Sequence, residues 1–119
     1  MDRIWKDYKT GDAYLYYDSL GLLRYRKDKD TFEILKTGYV KAILPTNKFV
    51  VIGTSKGLYF LDRKNNKTTQ SEYFSEGFHV KSLHNLNIDT LVINNDYYYD
   101  LSSNKYGKRQ YFFSQIKTD

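Results

Sequence analysis

Cysteine is missing from this 119-residue sequence, proline occurs once (Pro45), tryptophan once (Trp5) and histidine twice. Without cysteine there is no disulfide framework and no thiolate ligand for a metal, and the usage fits a reducing compartment. A single proline among many Val, Ile, Leu and aromatic residues argues against a disordered chain. No apolar run approaches the ~18 residues that would span a bilayer, so no membrane segment is expected. The opening residues, Met1-Asp2-Arg3-Ile4-Trp5-Lys6-Asp7-Tyr8, lack the apolar stretch of a signal peptide. The expectation is a cytoplasmic protein, or an exported one whose leader has been removed.

Motifs that carry chemistry are equally scarce. His79 and His84 lie five residues apart in a segment that reads as extended, which sends them to opposite faces. No third ligand stands at a zinc or iron spacing, so neither a metal nor a cofactor is expected. Nucleophile elbows, Walker loops and dinucleotide fingerprints are absent. Gly53-Thr54-Ser55-Lys56-Gly57 has the look of a phosphate loop, but no helix follows to supply the amides, so it reads as a hairpin turn. Asp28 and Asp30, or Asp96 and Asp100, are not marked as a pair flanking a cleft. Asp62 and Asp100 each follow an aromatic strand and precede a polar turn, where an Asp bonds its own turn backbone. The sequence argues against an enzyme.

What is present in quantity is tyrosine, thirteen residues, with seven Phe beside them. Such residues suit pleated, half-buried surfaces. Short apolar or aromatic segments at 13–17, 22–27, 32–35, 39–43, 48–52, 58–61, 72–74, 79–83, 90–93, 97–101 and 110–115 are separated by Gly-, Asn- and Asp-rich spacers, predicting strands joined by tight turns. Residues 1–12 fit either a leading strand or a helical turn. Strand, turn, strand recurs three times: around Tyr14-Leu15-Tyr16-Tyr17, around Phe49-Val50-Val51-Ile52, and around Leu91-Val92-Ile93. A fixed period of this kind marks one supersecondary unit stacked on copies of itself. The prediction is a single all-β domain over residues 1–119, built from three degenerate repeats as an antiparallel meander. Blade-like sheets and one continuous barrel- or sandwich-like meander both accommodate the pattern. Three units fall short of the roughly four blades of a closed propeller, which favours the continuous meander.

Thr31-Phe32-Glu33-Ile34-Leu35 and Gly38-Tyr39-Val40-Lys41 resemble the bacterial DKNYY repeat, and Thr46-Asn47-Lys48-Phe49-Val50-Val51-Ile52-Gly53 is similar to a degenerate form of its namesake turn and strand. The Asp of that turn and the Tyr pair after it are missing. Val51-Ile52-Gly53-Thr54-Ser55-Lys56-Gly57-Leu58-Tyr59 separately resembles a blade of bacterial sensor propellers. Neither resemblance brings a catalytic motif. The DKNYY resemblance implies a bacterial conflict or surface protein, and by analogy an immunity protein or inhibitor of a neighbouring toxin.

Binding is therefore the function to look for. In a strand, Tyr97 and Tyr99 share one face and Tyr98 takes the other. With Tyr59 and Trp5 they are the expected contacts for a protein partner, a toxin or effector blocked by steric occlusion, because aromatic side chains offer contact area at low entropic cost. Packing of the same rings inside the sheet is the competing reading. The net charge of +5 would match an acidic partner surface. The alternative is a nucleic-acid-binding module in which Arg24, Tyr25 and Arg26, with Lys105, Lys108 and Arg109, neutralise phosphates and stack bases. Homo-oligomerisation through open sheet edges is a third possibility.

Overall fold

The computed structural model describes residues 3–8, 10–17, 21–36, 40–65 and 67–108. Twelve strands and no helix are found among them. The first sheet comprises β1 (Arg3–Lys6), β2 (Ala13–Tyr17), β3 (Gly21–Arg26) and β4 (Thr31–Lys36). The second comprises β5 (Val40–Pro45), β6 (Phe49–Thr54), β7 (Gly57–Asp62) and β8 (Thr68–Gln70). The third comprises β9 (Leu83–Asn85), β10 (Thr90–Ile93), β11 (Tyr97–Asp100) and β12 (Lys105–Lys108). Within each sheet the strands are antiparallel and in sequence order. No ladder joins one sheet to the next among the described residues. The all-β antiparallel meander of three repeats expected from the sequence is found, laid out as three separate four-stranded, blade-like sheets and not as one continuous barrel or sandwich.

Alternation along the strands explains why the sheets stack. In the first sheet Trp5, Tyr14 and Arg24 lie in one cross-strand row and Tyr16 and Leu22 in the next, all on one face. Tyr14, Tyr16 and Leu22 meet Val40, Ile43, Val50, Ile52 and Leu61 of the second sheet to form one buried core. The opposite face of the second sheet, with Val51, Leu58 and Phe60, meets Leu91 and Ile93 of the third. A β-sheet is stable only when its apolar face is covered, and here each neighbour supplies the cover. The first strands of successive sheets run near one another, for Arg3 donates to the Lys41 carbonyl of β5 and β5 packs beside β9. The last strands, β4, β8 and β12, lie at the opposite edges. This is the radial order of propeller blades.

The turns hold what the spacers promised. Asn94 and Asn95 take positive φ, 55° and 62°, between β10 and β11. Thr54 Oγ1 accepts from the Lys56 amide (3.0 Å) and donates to the Gly57 carbonyl (2.8 Å), so 53–57 is a hairpin turn. Gly57 sits at φ +104°, and a Cβ there would run into the carbonyl oxygens of Phe74 and Ser75. Asp62 accepts from the Lys64 amide at 2.8 Å and Asp100 from the Ser102 amide at 3.0 Å, the turn-bonding role predicted for both. The repeat extends to side chains: Tyr25 donates to Asp30 (2.5 Å) and Tyr99 to Asn104 (3.1 Å), each acceptor five residues on and at positive φ.

Three expectations change. Residues 3–6, left undecided, are a strand. Residues 72–74 and 79–82 are not strands, and of the predicted 79–83 only Leu83 lies in one, opening β9; the chain there carries Phe74 and Val80, both fully buried, into the space between the second and third sheets. The outer strands β8 and β12 were not anticipated. The predicted strand at 110–115 lies outside the described residues. No helix among the described residues is long and apolar enough to cross a membrane.

Candidate binding cleft

Between the outer parts of the second and third sheets lies a cleft of about 520 Å³. Phe49 of β6 and Phe60 of β7 form one wall with Thr69 and Gln70 of β8, and Tyr99 of β11 and Tyr106 of β12 form the other. The sequence places them together because Phe60 faces the third sheet from the row Leu44–Val51–Phe60–Thr69, while Tyr99 and Tyr106 are cross-strand partners in the row Leu91–Tyr99–Tyr106. After β8 the chain turns inward. Ser71 is held by its amide to the Leu58 carbonyl (2.8 Å), and its Oγ accepts from the Phe74 amide (3.1 Å). That turn buries Phe74 and leaves Glu72 and Tyr73 at the cleft.

The aromatic rings form a connected array. Tyr73 and Tyr106 lie 4.2 Å apart between centroids, and Tyr106 stacks on Tyr99 at 6.0 Å and 22°. Phe60 is 5.3 Å from Tyr99 and 5.7 Å from Phe49, whose ring lies 5.5 Å from Lys48 Nζ. Phe74 braces the array from beneath, edge-on to Tyr73 at 4.7 Å and to Tyr106 at 6.1 Å. Such offset and edge-to-face pairs hold ring orientation as well as burying area. Tyr73 and Tyr106 nonetheless remain 46% and 44% exposed.

Burial, with Tyr106 and Glu72 nearby, pushes the Tyr99 phenol above its ordinary value, so it stays protonated and donates to Asn104. Ser102 Oγ donates to Asp100 Oδ1 at 2.7 Å, and this hydroxyl with the Ser102 and Ser103 groups holds the Asp100 carboxyl below the usual value. Lys48 and Glu72 contribute one charge of each sign. The arrangement offers ring faces, hydroxyls and amides to an occupant.

Of the five expected contacts, Tyr99 alone lines this cleft. Tyr97 shares its face, as alternation predicted, but sits deeper against Phe78 (5.1 Å) and Phe74 (5.7 Å). Tyr98 points the other way and is 6% exposed, its ring over Gly107. Trp5 and Tyr59 are half-buried against the core of the first two sheets, Trp5 beneath the Arg3 guanidinium (4.8 Å). Nor do the two basic groups meet, although Arg24 and Arg26 share Glu33. Arg24 is 4% exposed and doubly bonded to Glu33, through Nε at 2.9 Å and a terminal nitrogen at 2.7 Å. Arg26 lies 3.6 Å from Asp28 and 3.7 Å from Glu33. Tyr25 occupies the opposite face of the sheet against Phe32. Lys105 and Lys108 are on β12, with the whole second sheet between them and Arg24, and Arg109 lies outside the described residues.

Sequence reasoning named none of Tyr73, Tyr106 and Lys48 as a contact. A usable signal was there. Tyr106 has Asn104 and Lys108 two positions away, so its ring has no apolar neighbour on its own face of the chain. Compared with protein-family models, and with curated proteins, the chain matches none.

Proposed function

We propose that the chain is a non-enzymatic protein-binding module that holds a surface loop of its partner in the cleft between the second and third sheets, and acts as an inhibitor or immunity protein by occluding that partner. The observation that carries this is the Tyr73–Tyr106 pair: two rings in contact at 4.2 Å, nearly half exposed, over a buried aromatic floor. Rings already held in place lose little entropy on binding, and a Tyr cluster amid Ser, Asn and Gln is the composition of protein-recognition surfaces. The net charge of +5 favours an acidic partner. The DKNYY resemblance points to the same role by family analogy. A nucleic-acid reading draws less support, because Arg24 is buried with Glu33 and the basic residues of β3 and of β12 stand on different sheets.

The test is capture from lysate of the source cells on the immobilised chain, with and without nuclease, using wild type and Tyr73→Ala/Tyr106→Ala. One dominant protein that survives nuclease and is lost with the double variant is expected. Material removed by nuclease, or retained equally by the variant, overturns the proposal.

A further inference from the structure

Five of the rings that line the cleft form an unbroken track. Phe49 meets Phe60 at 5.7 Å, Phe60 meets Tyr99 at 5.3 Å, Tyr99 meets Tyr106 at 6.0 Å and Tyr106 meets Tyr73 at 4.2 Å. Among the described residues only two charged side chains line the same cleft, and they stand at opposite ends of the track. Lys48 precedes Phe49 and holds its ammonium over that ring, and Glu72 precedes Tyr73. Both residues are exposed, and among the described residues neither the ammonium nor the carboxylate has a hydrogen-bond or ion-pair partner. Beyond Lys48 lies a recess of about 390 Å³ lined by Asn47, Lys48, Asp62, Arg63 and Lys64. Asp62 bonds the amides of its own turn and Arg63 is paired with Asp7, so the remaining charge of the recess is that of Lys48 and Lys64.

We propose, resting on the reading of the cleft as a protein-binding site, that its occupant is an extended segment of the partner with a carboxylate at the Lys48 end and a basic side chain at the Glu72 end. An extended chain rises about 3.3 Å per residue and covers the track in at most about eight residues, its apolar or aromatic side chains lying on the rings between the two charges. The recess beyond Lys48 receives the acidic end, where two lysines are without a counter-charge. A guanidinium suits the other end, because it bonds the Glu72 carboxylate while stacking on the neighbouring Tyr73 ring. Charges that flank an aromatic contact decide which segment enters and which way round, more than how tightly it is held. Lys48 and Glu72 are thus specificity-determining residues of the cleft.

Selection from a displayed library of random linear peptides, about twelve residues long so that the track is covered, tests this on immobilised wild type, Lys48→Glu, Tyr73→Ala/Tyr106→Ala and Lys29→Glu. Lys29→Glu makes the same change of net charge on the first sheet and serves as control. Lys48 and Lys29 are exposed in the β5–β6 and β3–β4 connections, so both variants should fold, which far-UV circular dichroism checks. Expected on wild type and Lys29→Glu are peptides with an acidic residue on one side of an aromatic or apolar one and a basic residue on the other. These should bind Lys48→Glu at least about tenfold more weakly, because like charges then face each other. Selection on Lys48→Glu itself should replace the acidic position by a basic one. A wild type that selects no peptide, or peptides that bind Lys48→Glu as well as wild type, overturn the inference and leave the capture experiment to judge the cleft. Peptides held equally by Tyr73→Ala/Tyr106→Ala overturn the reading of the cleft as well.

Discussion

Asp7 and Arg63 form an ion pair of 2.5 Å that links the β1–β2 connection to the turn after β7, across the boundary between the first two sheets. The Asp7 side chain is 4% exposed and that of Arg63 18%, and Arg63 Nε also donates to the Thr46 carbonyl at 2.7 Å. Burial pushes the neighbouring Tyr14 phenol above its ordinary value, and the Arg63 and Arg24 charges partly oppose that rise.

Removing one partner of such a pair leaves a carboxylate in a dry boundary. Arg63→Ala should lower the unfolding free energy by about 3–5 kcal/mol, nearer the lower figure because Arg63 keeps some solvent. Asp7→Asn in the Arg63→Ala background should recover part of the loss. Urea unfolding of the single and double variants measures both.

Gly53 of β6 is closed against the segment that leads into β9. A Cβ there would strike Val80 Cγ1 and lie 3.1 Å from its Cβ, and Val80 is fully buried. Gly53→Ala should therefore destabilise by about 1–3 kcal/mol through overpacking. Val80→Ala in the same chain should relieve the clash, so the two changes together should be less harmful than their sum, read from thermal unfolding.

Asn94 does two jobs at the β10–β11 turn. It sits at φ 55°, and its side chain accepts from the Lys81 amide (2.6 Å) and the Ser82 amide (3.1 Å) while donating to the His79 carbonyl (2.9 Å). Asn94→Gly keeps the backbone conformation and loses these bonds, a cost of about 1–2 kcal/mol. Asn94→Ala adds the strain of a left-handed residue, about 1 kcal/mol more. Hydrogen exchange at Lys81 and Ser82 should quicken in both variants.

The Asp100 carboxyl is held below 3.8 chiefly by the Ser102 hydroxyl. A depressed folded-state value stabilises the protein above the unfolded-state value and is lost as pH falls through the folded one. Between about pH 5 and pH 2, wild type should therefore lose more thermal stability than Asp100→Asn, which cannot titrate. Equal slopes for the two proteins would remove Asp100 from the account.

Residues 13–17 and 90–93 were legible to the residue because alternate apolar positions, Tyr14 and Tyr16 in one and Leu91 and Ile93 in the other, enter a core. The outer strands were not. Thr68-Thr69-Gln70 and Lys105-Tyr106-Gly107-Lys108 pair by backbone at a sheet edge and need no apolar face, so the period-2 pattern that reveals a strand is missing. Phe74 and Val80 imitate strands because they are apolar, but they are buried as plugs between sheets. The candidate site was harder still. Tyr97, Tyr98 and Tyr99 stand out in sequence as a run, yet which ring meets solvent is decided by the stacking of the third sheet on the second, which no local pattern encodes. Tyr73 and Tyr106 come together from either side of that stack.

The central claim is that a protein partner is gripped by the Tyr73–Tyr106 pair, and titration of that partner with wild type and Tyr106→Ala at low and high salt tests it most directly. The account predicts an affinity that falls at least tenfold in Tyr106→Ala and changes little with salt, as expected of an aromatic-centred interface. An affinity that falls steeply and linearly in log salt, with Tyr106→Ala indistinguishable from wild type, would contradict it and point to charge neutralisation instead.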